Sequence, residues 1–291
     1  EIADFAEARI DFLRTFFPGL EDSPSHDTIR RSFCLVSPVA LENSYRSWAL
    51  SMREVMGIYP DKDGIEELDE QEKADFGRQI AIDGKTNSKA MNERGTYDSE
   101  GFRINSKIPK PMEKLHIVSA FLVDQCLSIG QEKVDSKENE IIAIPRLLDS
   151  LELHEGDVVT IDAIGTQKDI VSKVIEKQAN YLLEVKGNQP SLMESIQDAM
   201  EAVRRFRECE YVKEFTERDE SHGLIVNRTC RTCSDLYFLG RIFKEWEGIK
   251  TFGYIDNWRI NKATGEDVTE RHYFITSLEN DPKRILKFKR K

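Results

Sequence analysis

The sequence contains no uninterrupted apolar run long enough to cross a membrane. Its first residues, EIADFAEARIDFL, carry acidic residues where a signal peptide would have an apolar core. Cysteine is scarce: five residues, an odd number, are spread along 291 positions, which argues against a disulfide framework. These absences predict a cytoplasmic protein that has no membrane partner.

Basic residues are outnumbered by acidic ones. The 42 Lys and Arg against 53 Asp and Glu give a net charge of -11 and a pI near 5.2. This balance argues against electrostatic attraction of the whole surface to nucleic acid or an anionic membrane. It does not exclude a local basic groove. A hydrophobic fraction of 39% is enough for a packed core, and the length fits one large domain or two small ones.

Residues 1–57 are predicted to form a small helical module, incomplete at its start. Phe5, Ile10, Leu13 and Phe17 recur at near-helical spacing, and Pro18-Gly19 ends that run. Two further helices are expected, one capped by Ser25 and one opened by Ser37-Pro38. The acidic, poorly periodic stretch that follows is typical of a solvated linker or a surface helix.

Residues 76–291 alternate between strand and helix patterns. Strands are predicted at 80–86, 115–122, 126–134, 158–165 and 181–185, and helices at 139–151, 167–178 and 190–207. An antiparallel start followed by parallel strands with crossover helices indicates an α/β fold, a mixed sheet flanked by helices in a ribonuclease H-like arrangement. A β-rich insertion is expected at about 208–270, with β-rich runs at 223–231 and 249–259. A return strand should follow it, and the ending DPKRILKFKRK reads as only the start of a final helix.

Two apolar runs end in an aspartate: Ile80-Ala81-Ile82-Asp83 and Val158-Val159-Thr160-Ile161-Asp162. A carboxylate at the end of a buried strand pays a desolvation cost, so it usually has a partner or a metal. The simpler alternative is that each aspartate caps a turn. If Asp83 and Asp162 lie on neighbouring strands, they form a hard-oxygen site for Mg²⁺ or Mn²⁺, of the kind that cleaves phosphodiesters.

Several segments resemble the H-repeat-associated insertion-sequence transposases, a branch of the DDE superfamily. They are IAIDGKT, HIVSAF, VVTIDAIGTQKDI, YLLEVKGNQPSL and RHYFITSL, in that order, together with NEI and AIPRLLDSLEL. PSHDTIRRSFCLVSPVALENSYRSW also resembles the small transposase-associated domain that precedes the catalytic part. The resemblance covers nearly the whole chain.

The resemblance implies that Asp83 is the first catalytic acid and Asp162 the second, with Mg²⁺ or Mn²⁺ as cofactor. The resemblance implies that the chain acts on DNA, at both the transposon ends and the target. A homodimer is a further expected assembly. The third acid of the family is a glutamate beyond the strand matched by RHYFITSL, and this chain reaches Lys291 before that motif. Glu279 does not match the motif's position.

Further residues are candidates for DNA or phosphate contact. They are Lys85, Lys186, Asn188, Gln189 and His222. The KGNQ turn opens a helix whose backbone N–H groups could meet a phosphate, or it is an ordinary strand-to-helix turn. Lys85 could equally be a surface lysine. His222-Gly223 resembles a His-Gly-Arg segment of the family, but Leu224 replaces the arginine, so a structural role stays open.

A separate metal hypothesis concerns Cys230 and Cys233. Their C-x-x-C spacing is compatible with zinc, but no second pair has the right spacing, and Cys209 and His222 are the nearby candidates.

The main functional hypothesis is a DNA transposase, a polynucleotidyl transferase by lineage, that cleaves and joins strands at element ends. Because the third acid is not reached, an alternative is a catalytically dead DNA-binding remnant or a domesticated transposase-derived protein. An unrelated metal-dependent nuclease is a third reading.

Overall fold

The structure is a computed structural model that describes residues 2–35, 37–56, 78–87, 96–97, 103–104, 115–135, 139–205, 210–221, 224–262 and 264–289. The chain divides into two compact units, Glu1–Met56 and Gly57–Lys291. Within the described part of the chain, no helix has the length and apolar character needed to span a membrane.

The first unit is helical. Its helices are α1 (Ile2–Ala8), α2 (Ile10–Phe16), α3 (His26–Leu35) and α4 (Pro38–Met56). Ser25 caps α3 as the sequence predicted, because its hydroxyl oxygen accepts a hydrogen bond from the Thr28 N–H at 3.2 Å. Proline is tolerated at the first position of α4 because a backbone N–H at that position would have no partner within the helix.

The second unit is an α/β structure. Its strands are β1 (Gln79–Asn87), β2 (Thr96–Tyr97), β3 (Arg103–Ile104), β4 (Leu115–Leu122), β5 (Leu127–Val134), β6 (Val158–Ile161), β7 (Asn180–Val185), β8 (Val212–Ser221), β9 (Leu224–Cys233), β10 (Thr251–Asn261) and β11 (Asp267–Thr276). Its helices are α5 (Glu140–Ser150), α6 (Lys168–Glu176), α7 (Pro190–Ala202) and α8 (Pro282–Lys289).

Nine of these strands form one mixed sheet in the order β5-β4-β1-β6-β7-β11-β10-β9-β8. β1 pairs antiparallel with β4 and parallel with β6, and β6 pairs parallel with β7. The hairpin and the two parallel strands therefore lie where the sequence predicted them, with the first strand inside the sheet. Parallel neighbours require a crossover, and α6 supplies it between β6 and β7.

Strand alternation separates two apolar clusters. Ile80, Ile82, Val159, Ile161 and Leu183 belong to the larger cluster, together with buried residues of α5, α6 and α7. Val158 and Leu182 belong to a smaller cluster with Ile285, Leu286 and Phe288 of α8. Since successive side chains of a strand point to opposite faces, α5–α7 cover one face of the central strands and α8 covers the other.

The β-rich segment extends the same sheet. β11 returns antiparallel to β7, and β10, β9 and β8 continue outward from it. The sequence predicted β9, β10 and β11 approximately but missed β8, whose run VKEFTERDES has few apolar residues. For the end of the chain it predicted only a helix start, whereas α8 is an eight-residue helix with Ile285, Leu286 and Phe288 buried.

Candidate metal centre

Asp83 and Asp162 occupy equivalent positions on adjacent parallel strands. The register of β1 and β6 pairs Ile80 with Val159 and Ile82 with Ile161, and the next residue on each strand is one of the two acids. β6 ends at Ile161 and Asp162 follows it, whereas β1 continues past Asp83 to Asn87, so the two acids occupy neighbouring backbone positions where β6 ends. The sequence-based prediction that they lie on neighbouring strands is therefore confirmed.

Both acids lie on the face that α8 covers. Ile82 packs into the larger cluster, so Asp83 points to the opposite face. On that face the Gln79 amide donates to the carbonyl of Phe288 in α8 at 2.6 Å. The Asp162 backbone is still extended (φ -67°, ψ 177°), which continues the alternation of β6 past Ile161. The Asp83 side chain is 62% exposed, and Asp162 is exposed as well.

Asp162 also caps a turn, as the simpler reading allowed. Its Oδ1 accepts hydrogen bonds from the N–H groups of Ile164 at 3.1 Å and Gly165 at 3.4 Å, at the start of the short 3₁₀ turn Ala163–Gly165. Capping fixes the direction of the carboxylate through one oxygen. A capping role and a ligand role are therefore compatible in this residue.

The donor chemistry fits a single hard cation. Two carboxylates at an exposed strand edge match the way Mg²⁺ is commonly held, by one or two protein carboxylates with water and substrate phosphate completing the shell. In the part of the chain that the structure describes, no cluster of three or more His, Cys, Asp or Glu residues is arranged to hold a metal. The described residues therefore offer a two-carboxylate site.

Two lysines flank the acids. Lys85 Nζ lies 3.9 Å from Asp83 Oδ2 and its side chain is 84% exposed. Lys186 is 60% exposed, and its Nζ lies 3.1 Å from Glu184 Oε1. Lys85 lies on β1 two residues past Asp83, and Lys186 directly follows β7.

Asn188 and Gln189 use their side-chain amides within the protein. Asn188 Nδ2 donates to the carbonyl of Ala163 at 2.5 Å, and Gln189 Nε2 donates to that of Thr166 at 2.8 Å. Both carbonyls belong to the turn that follows Asp162. His222, the remaining predicted contact, lies outside the described residues.

Glu184 is a third acid beside the site, and sequence reasoning missed it. Leu183 pairs with Ile161, so the next residues, Glu184 and Asp162, are neighbours on the same face. Its side chain is only 11% exposed and meets three basic groups: His272 Nδ1 at 2.8 Å, Lys289 Nζ at 2.9 Å and Lys186 Nζ at 3.1 Å. The only sequence signal was a charged residue inside the apolar strand NYLLEV.

The basic neighbours determine the ionisation of Glu184. Burial alone would raise the pKa of this carboxyl. The positive charge of Lys289, with hydrogen bonds from His272, Lys289 and Lys186, instead lowers its pKa to about 2. Glu184 is thus ionised at neutral pH and joins β7 to β11 through His272 and to α8 through Lys289.

On the opposite face, Gly84 accommodates a chain of partly exposed polar side chains. Glu140 Oε1 is 2.6 Å from His116 Nε2, and His116 Nδ1 is 2.9 Å from the Thr86 hydroxyl. The Glu140 carboxylate lies directly against Gly84, and a Cβ at that position would overlap it. Glycine next to Asp83 therefore leaves room for the Glu140 side chain of α5.

Gly84→Ala is expected to lower the free energy of unfolding by about 1 kcal/mol, the order of one lost hydrogen bond, because the Glu140 carboxylate is the end of a flexible side chain. The added methyl must displace the Glu140 carboxylate and disturb its hydrogen bond to His116. Urea unfolding followed by circular dichroism measures the change. Gly187→Ala is the matched control, because a Cβ there meets nothing within 4 Å. The double variant Gly84→Ala with Glu140→Ala should recover part of the loss, and a Gly84→Ala variant as stable as wild type would contradict the steric argument.

The zinc hypothesis for Cys230 and Cys233 does not fit the structure. Both residues lie on β9 three positions apart, and their side chains are buried in different clusters, Cys230 in the smaller and Cys233 in the larger. Side chains on opposite faces of a sheet cannot ligate one ion. Cys209 and His222 lie outside the described residues.

The chain is similar to several curated bacterial proteins. It is 32% identical over 281 residues to the "Uncharacterized protein in dhlA 3'region" of Xanthobacter autotrophicus, covering 97% of this chain and 81% of that protein. It is 31% identical over 281 residues to the "H repeat-associated putative transposase YhhI" of Escherichia coli K12, covering 96% of this chain and 65% of that protein. It is 32% identical over 292 residues to the "Putative transposase YncI" of E. coli O157:H7, covering 97% of this chain and 63% of that protein.

No protein-family model matches the chain. The chain spans a little under two thirds of the length of the two E. coli relatives, 65% of one and 63% of the other. The match extends over 96–97% of this chain in all three cases, so it includes both acid-bearing strands. The chain therefore belongs to the family of these relatives, in which several members are named H repeat-associated or putative transposases.

Proposed function

We propose that the chain is the metal-dependent, DNA-cleaving and DNA-joining part of a transposase. The observation that carries the proposal is the placement of Asp83 and Asp162 at equivalent positions on adjacent parallel strands. The names of the relatives support the same reaction class, and DNA is the substrate that this class implies.

The strand order supports a ribonuclease H-like core. The antiparallel hairpin β4–β5 lies on one side of β1, and the parallel strands β6 and β7 lie on the other. This arrangement brings Asp83 and Asp162 to adjacent strands, although the two residues are far apart in the sequence. The proposed core consists of these five strands with α5, α6 and α7.

Asp83 and Asp162 would hold Mg²⁺ or Mn²⁺, which when bound polarises the scissile phosphate and favours ionisation of the attacking water or 3′-hydroxyl. Asp162 is held in place by two N–H groups, so its carboxylate is oriented before substrate arrives. Lys85 and Lys186 would offset phosphate charge at the same edge. The start of α7, at Asn188 and Gln189, adds a helix N-terminus nearby, and His222 stays a candidate DNA contact.

The test is nicking of supercoiled plasmid in the presence of Mn²⁺. The wild-type chain should nick the plasmid, and Asp83→Ala should reduce the rate by at least about 100-fold, since each tenfold corresponds to 1.36 kcal/mol of transition-state stabilisation. Asp169→Asn, at an exposed acid in the first turn of α6, is the control and should nick at the wild-type rate.

A catalytically inactive, DNA-binding descendant of a transposase is the second candidate. It is favoured by the two-carboxylate composition of the site in the described residues. It predicts plasmid binding without nicking by the wild-type chain. Nicking that persists unchanged in Asp83→Ala would instead exclude the proposed metal site and favour a different nuclease activity.

A further inference from the structure

The turn after Asp162 is fastened to the start of α7 by side-chain amides. The carbonyls of Ala163 and Thr166 accept hydrogen bonds from Asn188 at 2.5 Å and Gln189 at 2.8 Å. Gln189 Nε2 also lies 3.4 Å from Gln167 Oε1. These bonds bridge residues that are 22 to 25 positions apart in the chain, so they fix the end of β6 against the end of β7.

A buried hydroxyl makes a further bond from the same turn. Thr166 is fully buried, and its Oγ1 donates to the carbonyl of Glu184 at 2.6 Å. Glu184 immediately precedes Val185, and Lys186 follows at the start of the KGNQ turn. The turn after Asp162 is therefore tied to β7 through Thr166 and to the β7–α7 connection through Ala163 and Thr166.

The same turn holds the second acid. The N–H groups of Ile164 and Gly165 donate to Asp162 Oδ1, so any shift of the turn moves the hydrogen bonds that aim the carboxylate. The Ala163 carbonyl that Asn188 holds is one residue before Ile164. The path from Asn188 to the Asp162 carboxylate thus consists of one peptide and two hydrogen bonds.

These contacts also bear on DNA recognition. Each amide directs one of its N–H groups to a carbonyl of the turn, at 2.5 Å for Asn188 and 2.8 Å for Gln189. The KGNQ segment then offers the exposed Lys186 charge for DNA contact, while its two amide side chains each commit one N–H to the turn.

We propose that Asn188 and Gln189 are positioning residues that set the direction of the Asp162 carboxylate by bracing the Ala163–Thr166 turn. This inference rests on the proposed function for its consequence in metal binding. The brace itself is a property of the turn and is measurable without metal or DNA.

Hydrogen exchange tests the brace. In Asn188→Ala and Gln189→Ala, the Ile164 and Gly165 amides should exchange about fivefold faster than in wild type, the effect expected for one lost hydrogen bond, and faster again in the double variant. Gln197→Ala removes an exposed amide from the same helix and serves as the control. Unchanged exchange at Ile164 and Gly165 in the double variant would overturn the proposal.

Mn²⁺ affinity tests the consequence. Mn²⁺ titration followed by electron paramagnetic resonance, without DNA, should give a dissociation constant about fivefold higher for each single variant. This is the change in affinity expected for the loss of one hydrogen bond. In nicking assays kcat should fall while KM for plasmid stays unchanged. Wild-type Mn²⁺ affinity combined with weaker plasmid binding would overturn the positioning role and assign both amides to DNA contact.

The two proposals fail in different ways. If wild type and Asp162→Asn bind Mn²⁺ equally, the metal site is wrong, while the exchange rates still decide whether the brace exists. If Asp162→Asn loses Mn²⁺ but the Asn188 and Gln189 variants retain it, the metal site stands and the positioning role is rejected. A variant that loses overall stability without a selective change at Ile164 and Gly165 also rejects it.

Discussion

Asp162→Asn is expected to reduce Mn²⁺-dependent nicking by at least about 100-fold while leaving the fold intact. Asparagine keeps a side-chain oxygen that can accept from the Ile164 and Gly165 N–H groups, so the turn stays capped. It removes the negative charge that a hard cation requires. The free energy of unfolding should therefore change by less than about 0.5 kcal/mol.

Asp162→Ala separates the two roles of this residue. It removes the charge and the cap together, so nicking should fall as far as in Asp162→Asn. The free energy of unfolding should fall by about 1 kcal/mol as well, the usual effect of a lost cap. Nicking rates and urea unfolding of the two variants provide the comparison. An Asp162→Asn protein that nicks at the wild-type rate would show that the residue is only a cap.

Glu184→Gln is expected to lower the free energy of unfolding by about 2–3 kcal/mol at neutral pH. A carboxyl whose pKa falls from 4.5 to about 2 on folding stabilises the native state by that order, because one pKa unit corresponds to 1.36 kcal/mol. The substitution also leaves Lys289 and His272 without their carboxylate partner, although it preserves the side-chain shape.

The pH dependence gives this prediction its sign. The native pKa of Glu184 is depressed, so its contribution is fully present above pH 4.5 and is lost as the pH falls toward about 2. The stability difference between wild type and Glu184→Gln should therefore shrink progressively below pH 4.5. Urea unfolding of both proteins from pH 3 to pH 7 measures it.

A control and a contrary result complete the test. Glu201, whose side chain is 72% exposed, is the ion-pair partner of Arg204. Glu201→Gln should therefore change stability little at any of these pH values. A Glu184→Gln difference that does not vary with pH would assign the effect to packing and not to charge.

Glu184 also illustrates where local sequence information ends. The strand NYLLEV is predicted from its apolar run, but its one acid reads locally as an interruption. Its partners come from β11 and α8, which are 88 and 105 positions away along the chain. Only pairing between distant segments brings His272 and Lys289 to it, and such pairing leaves no local signature.

The same limit explains the outer strands of the sheet. β8 was missed because an exposed edge strand carries charges on both faces, as VKEFTERDES does. Extension of the central sheet by β11 depends on the register of Tyr273 with Val185, which neither segment specifies alone. The opposite orientations of Cys230 and Cys233 likewise follow from β9 being a strand inside a sheet that is covered on both faces.

The sequence by itself determined the central strands and their terminal acids. Apolar runs that end in Asp83 and Asp162 identify buried strand segments, because only burial favours such runs and each acid marks the point where the side chains become exposed. Motif resemblance then indicated the family. Both inferences use residues that are contiguous in the chain.

The tertiary structure alone decided how those acids are held. It placed them on the α8 face, put Glu140 against Gly84 behind Asp83, and joined the turn after Asp162 to Asn188 and Gln189. Each of these facts depends on contacts between segments far apart in sequence, where the geometry of packing selects partners that composition and spacing leave undefined.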